Sequence, residues 1–218
     1  MQKKIEYKFL LENYSEFIFD FDGIIKESVE IKSNAYLELF KNKGSGLSKI
    51  KNHLTSNVGM SRYEKIPLYM KYCGIEIKKD LISKYSNDFS NLVNELVLNS
   101  NWVPGFLSFF NKLNCYKKKI YIVSATPQNE IKRIVKKLKL NFKVDNIYGS
   151  PQKKTTLLNS FVDISQIEKY IFFGDSQTDS EAASNLSMDF AYRSYALNYF
   201  NKPLYYSYIF SDFNDFFD

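Results

Sequence analysis

Cysteine and histidine are nearly absent from this 218-residue chain. Its two cysteines, Cys73 and Cys115, give neither a disulfide framework nor a metal-binding spacing. The lone histidine, His53, reads as a polar residue of a helical region rather than a ligand. Apolar runs of membrane-spanning length are missing, and the polar start MQKKIEYK leads into no signal-peptide core. A soluble, cytoplasmic protein with no membrane partner is therefore expected. The net charge of +6 has no basic tract behind it. Its densest groups are Lys117 to Lys119 and the set Lys132, Arg133, Lys136, Lys137 and Lys139. The second set shares a helix with apolar Ile131, Ile134, Val135 and Leu138, which describes a solvated face and not a nucleic-acid footprint.

What the chain does have is enough apolar residue, 44%, for a sizeable core, and one stretch that organises the rest, FIFDFDG at 17–23. Phe17, Ile18 and Phe19 form a β-prone run that leads into Asp20 and Asp22, and Gly23 breaks the strand. Alternation along a strand puts aspartates spaced i, i+2 on the same side. Two such carboxylates after a hydrophobic strand are costly unless a cation sits there. An ordinary strand-to-turn junction, with Asp as turn former, is the plainer reading of D-x-D-G.

Residues 1–16 read as a short lead-in. After Gly23 the pattern is helical as far as residue 100. One stripe runs through Ile31, Ala35, Leu39 and Phe40 to a stop at Gly44. Ser61-Arg62-Tyr63-Glu64 has capping-box spacing, Pro67 predicts a kink, and Gly74 a stop. Asp80 opens the clearest helix, with Ile82, Tyr85, Phe89, Leu92 and Leu96 on one face. Past the turn at Trp102–Gly105 strands and helices alternate, with strands expected at 120–123, 144–148, 170–173, 190–192 and 206–210. The expected fold is α/β, a Rossmann-like parallel sheet with a helical insertion after its first strand. Its α/β core would cover residues 1–25 and 101–218, and the helical cap 26–100.

Several strands end in residues suited to phosphate chemistry. The first ends in Asp20 and Asp22. The next ends in Ser124-Ala125-Thr126 before Pro127, a hydroxyl beside backbone N–H groups at a helix start. Another is followed by Gly149-Ser150-Pro151 and then Lys153-Lys154. The fourth ends in Gly174-Asp175, with Asp179 four residues on. Each has a plain alternative: caps for Ser124 and Thr126, solvated charge for the lysines, first-turn charge for Asp179. Their occurrence together at successive strand ends is what argues for a site.

In this order, DFDGIIKES (20–28), VSATP (123–127), GSPQKK (149–154) and GDSQTD (174–179) resemble the four motifs of the haloacid dehalogenase superfamily. The likeness covers core and cap, and is to the phosphoglycolate-phosphatase-like and beta-phosphoglucomutase-like group. The resemblance implies a Mg²⁺-dependent phosphatase acting on a small phosphorylated metabolite, such as a polyol, amino-alcohol or sugar phosphate. It assigns Asp20 as nucleophile and Asp22 as acid and base. Ser124, Ala125 and a lysine, Lys154 in preference to Lys153, would bind phosphate. Asp20, the carbonyl of Asp22, and Asp175 would hold the metal, with Asp179 supporting it directly or through water or the lysine. GMSRYEK (59–65) resembles cap sequences that place an arginine over the substrate, here Arg62. A sugar-phosphate phosphomutase using the same aspartates is the alternative, and a non-catalytic binding protein on this fold a third reading.

Overall fold

The apolar run before the two aspartates becomes β1 (Glu16–Phe19), preceded by a helix, α1 (Tyr7–Asn13). The computed structural model describes residues 6–198 and 201–217; residues 1–5, 199–200 and 218 of the expected α/β unit lie outside them. Four α-helices come next, α2 (Val29–Phe40), α3 (Leu47–Ser56), α4 (Arg62–Tyr72) and α5 (Lys79–Asn99). Alternation then sets in with α6 (Phe106–Cys115), β2 (Lys119–Pro127), α7 (Gln128–Lys137) and β3 (Asn146–Ser150). It continues with α8 (Lys154–Asn159), β4 (Tyr170–Gly174), α9 (Gln177–Ser184), β5 (Asp189–Arg193) and β6 (Tyr208–Phe210).

All strand pairs are parallel, in the order β3-β2-β1-β4-β5-β6. Phe19, the last residue of β1, pairs with Ile122 on one side and Phe173 on the other. The chain thus builds outward from β1 in one direction and then the other, and the crevice at the carboxyl ends of such strands is where open α/β folds bind ligands. Helices cover both faces, which is why the strands read as unbroken apolar runs. Phe17, Phe19, Ile122 and Phe173 point into one core, and Ile18, Val123 and Phe172 into the other. Phe19 stacks on Phe173 at 5.0 Å and meets Phe106 edge-on. Each such ring, fully buried, contributes roughly 1.5–3 kcal/mol, so the point where β1 stops is firmly fixed.

The helical insertion is sewn together by aromatic pairs between α2 and α5: Tyr36 on Phe89 at 4.1 Å and Phe40 on Tyr85 at 5.0 Å. Several expectations shift here. The buried stripe of α5 is Phe89, Val93 and Val97, while Leu92 and Leu96 are exposed. Apolar residues occupy both adjacent rows, and packing against α2 selects the β-branched one. Helix α2 ends at Phe40, before Gly44, which opens a short 3₁₀ turn instead. The capping box at Ser61 and Glu64 forms as expected. Helix α4 runs on through Pro67, whose missing N–H would have bonded the carbonyl of Tyr63, a residue at the surface where water can serve. Strand β3 begins at Asn146 rather than Val144, since Asp145 turns to bond Ile120 through both backbone and side chain. The lead-in contains α1, anchored by fully buried Leu10.

The two crossings between sheet and insertion hold each other. Val103 donates its N–H to the Ile25 carbonyl, and Glu27 donates to that of Asn101. Arg193, from β5, clamps them by donating to the Gly23 carbonyl at 2.7 Å and to both oxygens of Glu27.

Candidate active site

Asp20 follows β1 directly, its N–H still bonded to the Phe173 carbonyl, so its side chain starts from the rigid centre of the sheet. Lys154, the first residue of α8, reaches it: Nζ lies 2.8 Å from Asp20 Oδ1 and 2.5 Å from Asp179 Oδ1. Of the two lysines after the GSP turn, Lys154 is the buried one and Lys153 faces solvent. The other oxygen of Asp179 accepts from the N–H and hydroxyl of Ser176, closing the capping box of α9. Asp175 comes off the end of β4, where Tyr195 donates to its Oδ2 at 2.6 Å and Asn198 to its carbonyl at 2.8 Å. Asp175 Oδ1 is buried and has no hydrogen-bond partner. Gly23 makes this approach possible. Its φ of +80° suits glycine, and a Cβ there would stand 2.2 Å from Asp175 Oδ2.

Asp20, Asp175 and Asp179 together offer carboxylate oxygens within 4.8 Å of one another, all buried. Among the described residues only Lys154 makes an ion pair with any of them, on Asp20 and Asp179. Burial, with Asp179 next to it, raises the Asp175 carboxyl to about 7. Burial also pushes Asp20 well above its ordinary value; Lys154 opposes this, and the neighbouring carboxylates add to it. For Lys154, burial works towards the neutral amine, but Asp179 and Asp20 outweigh it and hold the proton more tightly than usual. The donor set, with its orphaned oxygen, fits a hard divalent cation that prefers oxygen ligands.

The carboxylate of Asp22 keeps different company. Ser28 donates to its Oδ1 at 2.6 Å, and Lys32 Nζ contacts its Oδ2 at 2.5 Å. Thr126 also donates to Oδ2, at 3.4 Å, and itself accepts from Lys32 at 2.7 Å. β1 ends at Phe19, so the strand-alternation argument that paired Asp22 with Asp20 does not extend to it. Burial alone would raise Asp22, yet Lys32 and these hydrogen bonds leave it below the ordinary carboxylate range. Ser124 is buried where β2 leaves its register with β3, and its hydroxyl accepts from Thr126 N–H. Ala125, half-buried beside it, gives its carbonyl to the Ser150 hydroxyl.

From the insertion, Arg62, Lys65 and the loop ahead of them reach this crevice. Arg62 is buried and bound by both oxygens of Glu130 on α7, at 2.6 and 3.0 Å, with Ser90 beside them and Phe89 under the guanidinium. Glu130 lies 68 positions further along, and no local pattern announced it. Lys32, Tyr195 and Asn198 were equally silent, whereas Ser28 closes the first motif, DFDGIIKES. Gly59 lies so close to α9 that a Cβ there would stand 2.0 Å from Thr178 Oγ1 and 2.2 Å from Ser176 Oγ.

A model of the haloacid dehalogenase-like hydrolases matches residues 17–192. Among curated proteins nothing matches the chain. Solved structures share its fold at low identity. A predicted phosphoglycolate phosphatase from Haemophilus somnus is 18% identical with a TM-score of 0.69, over 94% of this chain and 96% of that one. A beta-phosphoglucomutase from Clostridium difficile is 18% identical at TM-score 0.70, over 92% of each. CbbY from Rhodobacter sphaeroides, in complex with phosphate, is 13% identical at 0.73, over 92% and 95%.

Proposed function

The chain belongs to the haloacid dehalogenase-like hydrolases, and from that premise we propose that it is a Mg²⁺-dependent phosphatase of small phosphate monoesters. The observation that carries this reading is the buried set at the strand ends. There Lys154 is fixed between Asp20 and Asp179, and Asp175 keeps one oxygen unpartnered.

In this reading Asp20 and Asp175, with the Asp22 carbonyl, are the groups that would hold Mg²⁺. Asp179, already engaged by Lys154 and Ser176, fixes the lysine. The ion would supply positive charge against the phosphoryl oxygens. Asp20 attacks phosphorus, forming an O–P bond as the bond to the leaving oxygen breaks, and Asp22 gives that oxygen its proton. Water then gives a proton to Asp22 and attacks the aspartyl-phosphate, releasing phosphate and restoring Asp20. Lys32 favours the ionised form of Asp22; an arriving phosphate dianion works the other way and favours the protonated carboxyl that the first step needs. Ser124 and the N–H groups around Ala125 receive phosphoryl oxygens.

Phosphate release from a panel of polyol, amino-alcohol and sugar phosphates, with phosphorylated carboxylic acids and bisphosphates included, is expected with Mg²⁺ and expected to stop reversibly with EDTA. Release that persists through chelation would remove the metal from the reading. Turnover that needs a sugar bisphosphate activator would mean a phosphomutase, and no turnover on any ester a binding protein.

A second readout needs no turnover. Burial and the neighbouring Asp179 lift the Asp175 carboxyl to about 7, from an ordinary value of 3.8. That group's contribution to stability therefore falls as pH rises from about 4 to 7, where the unfolded chain is already ionised. Mg²⁺ competes with the proton on Asp175. At a hundred times its Kd it would stabilise by about 2.7 kcal/mol, or about 5–10 °C in a chain of this size, at pH 8. The shift should be clearly smaller at pH 5.5. Equal shifts at both values would place the ion elsewhere.

The loop carrying Gly59 is read as the part of the lid that seats on α9. Gly59→Val should hold it off and lower kcat/KM by about 10²-fold, the scale of a misplaced catalytic geometry, with little change in melting temperature. Unaltered kinetics would mean that closure does not need this contact.

A further inference from the structure

A cavity of about 50 Å³ opens between the strand ends and the insertion, bounded by Asp22, Lys32, Tyr36, Arg62, Lys65 and Thr126. Three of these side chains are cationic, and two have their counter-charge in place: Lys32 on Asp22 and Arg62 on Glu130. Lys65 has none. Its Nζ donates to the Val58 carbonyl at 3.0 Å, and among the described residues it makes no ion pair. It is 5% exposed, stands over the Tyr36 ring at 5.5 Å, and keeps two of its three N–H donors for a guest. A buried ammonium without a partner is expensive, and burial with Lys32 nearby has lowered its pKa to about 7. A lysine serving only to tie α4 to its loop would not need to line a cavity it shares with Asp22 and Thr126.

We propose that Lys65 holds a second anionic group of the substrate, so that the ester this site takes carries a carboxylate or a further phosphate at the end away from Asp20. This rests on the phosphatase reading, since it is that reading which places the phosphoryl group at Asp20. Arg62, occupied by Glu130, leaves Lys65 as the cation without a counter-charge on this wall.

Binding without turnover tests it. Three inert probes would be titrated into the Mg²⁺-loaded full chain by calorimetry: propylphosphonate, 3-phosphonopropionate and propane-1,3-bisphosphonate. One of the two-anion probes should bind about 10–100-fold tighter than propylphosphonate, as expected for one charge-assisted contact. Which of them does so identifies the group. Lys65→Met and Lys65→Gln, checked for an unaltered fold by melting, should each bring that ratio below about threefold, the loss of one such contact. A ratio near one in the unmodified protein, or a ratio that survives both substitutions, overturns the assignment. An equal loss for all three probes would mean Lys65 only shapes the site, and overturns it too. Failure of every ester in the phosphate-release panel would overturn the phosphatase reading instead, and leaves these ratios measurable.

Discussion

Asp20→Asn is expected to reduce phosphate release by about 10⁴-fold or more, the scale seen when a nucleophile that acts with its partners is removed. The amide keeps the volume and cannot form the acyl phosphate. The fold should survive, and the energetics give this prediction a second edge. Asp20 is one of three buried carboxylates, of which Lys154 contacts Asp20 and Asp179, and burial already disfavours its charged form. Neutralising it leaves Lys154 paired with Asp179 at 2.5 Å. The metal-free variant should therefore melt no lower than the unmodified protein and respond less to Mg²⁺. Retention of more than a trace of activity, with the Mg²⁺ response unaltered, would remove Asp20 from both roles.

How much of this site could be read in the sequence follows from the range over which its parts interact. Asp20, Ser124 and Asp175 sit where an apolar run stops, and Lys154 just past the turn that follows another; a stop is a local signal. The sheet that gathers those stops follows from the unbroken runs, because parallel strands buried on both faces leave no polar alternation. Lys153 and Lys154 could not be ranked on composition. They are neighbours at a helix start, and the turn of α8 sends one to the strand ends and the other to solvent. Leu92 and Leu96 carry the same helical period as Val93 and Val97, so only packing against α2 chooses between the rows. The partners of Asp22 and Arg62 are a different matter. Lys32 stands one turn from buried Val29 and Tyr36 on the inner face of α2, where a single lysine beside an apolar stripe carries no pattern of its own, and Glu130 looks like ordinary first-turn charge on α7. Tyr195 and Asn198 come from a loop with no pattern at all, and yet they fix Asp175. Long-range pairings of this kind leave no periodic trace.

Lys154 carries the second large expectation. Among the described residues its amine is the one ion-pair partner of Asp20 and Asp179, and the three charged groups are almost fully buried. Lys154→Met would keep the bulk of the side chain and leave the carboxylates facing each other without it. Breaking a buried pair by removing one partner costs about 3–5 kcal/mol, far more than the intact pair contributes, because an uncompensated charge stays behind. Loss of a charge aimed at the phosphoryl group should also lower turnover by about 10²–10³-fold. The pH dependence separates this account from simple loss of packing. Without the lysine, Asp20 loses the cation that opposes its raised pKa, so the fold binds a proton that the unfolded chain has already released. The stability deficit should then be largest near pH 8 and shrink towards pH 5, as protonation neutralises the cluster. A deficit that is the same at both values would make Lys154 a packing residue. Lys153→Met is the control: one position away and exposed, it should change stability by no more than about 0.5 kcal/mol. Equal destabilisation by the two substitutions would show that the charge balance at the strand ends does not depend on Lys154.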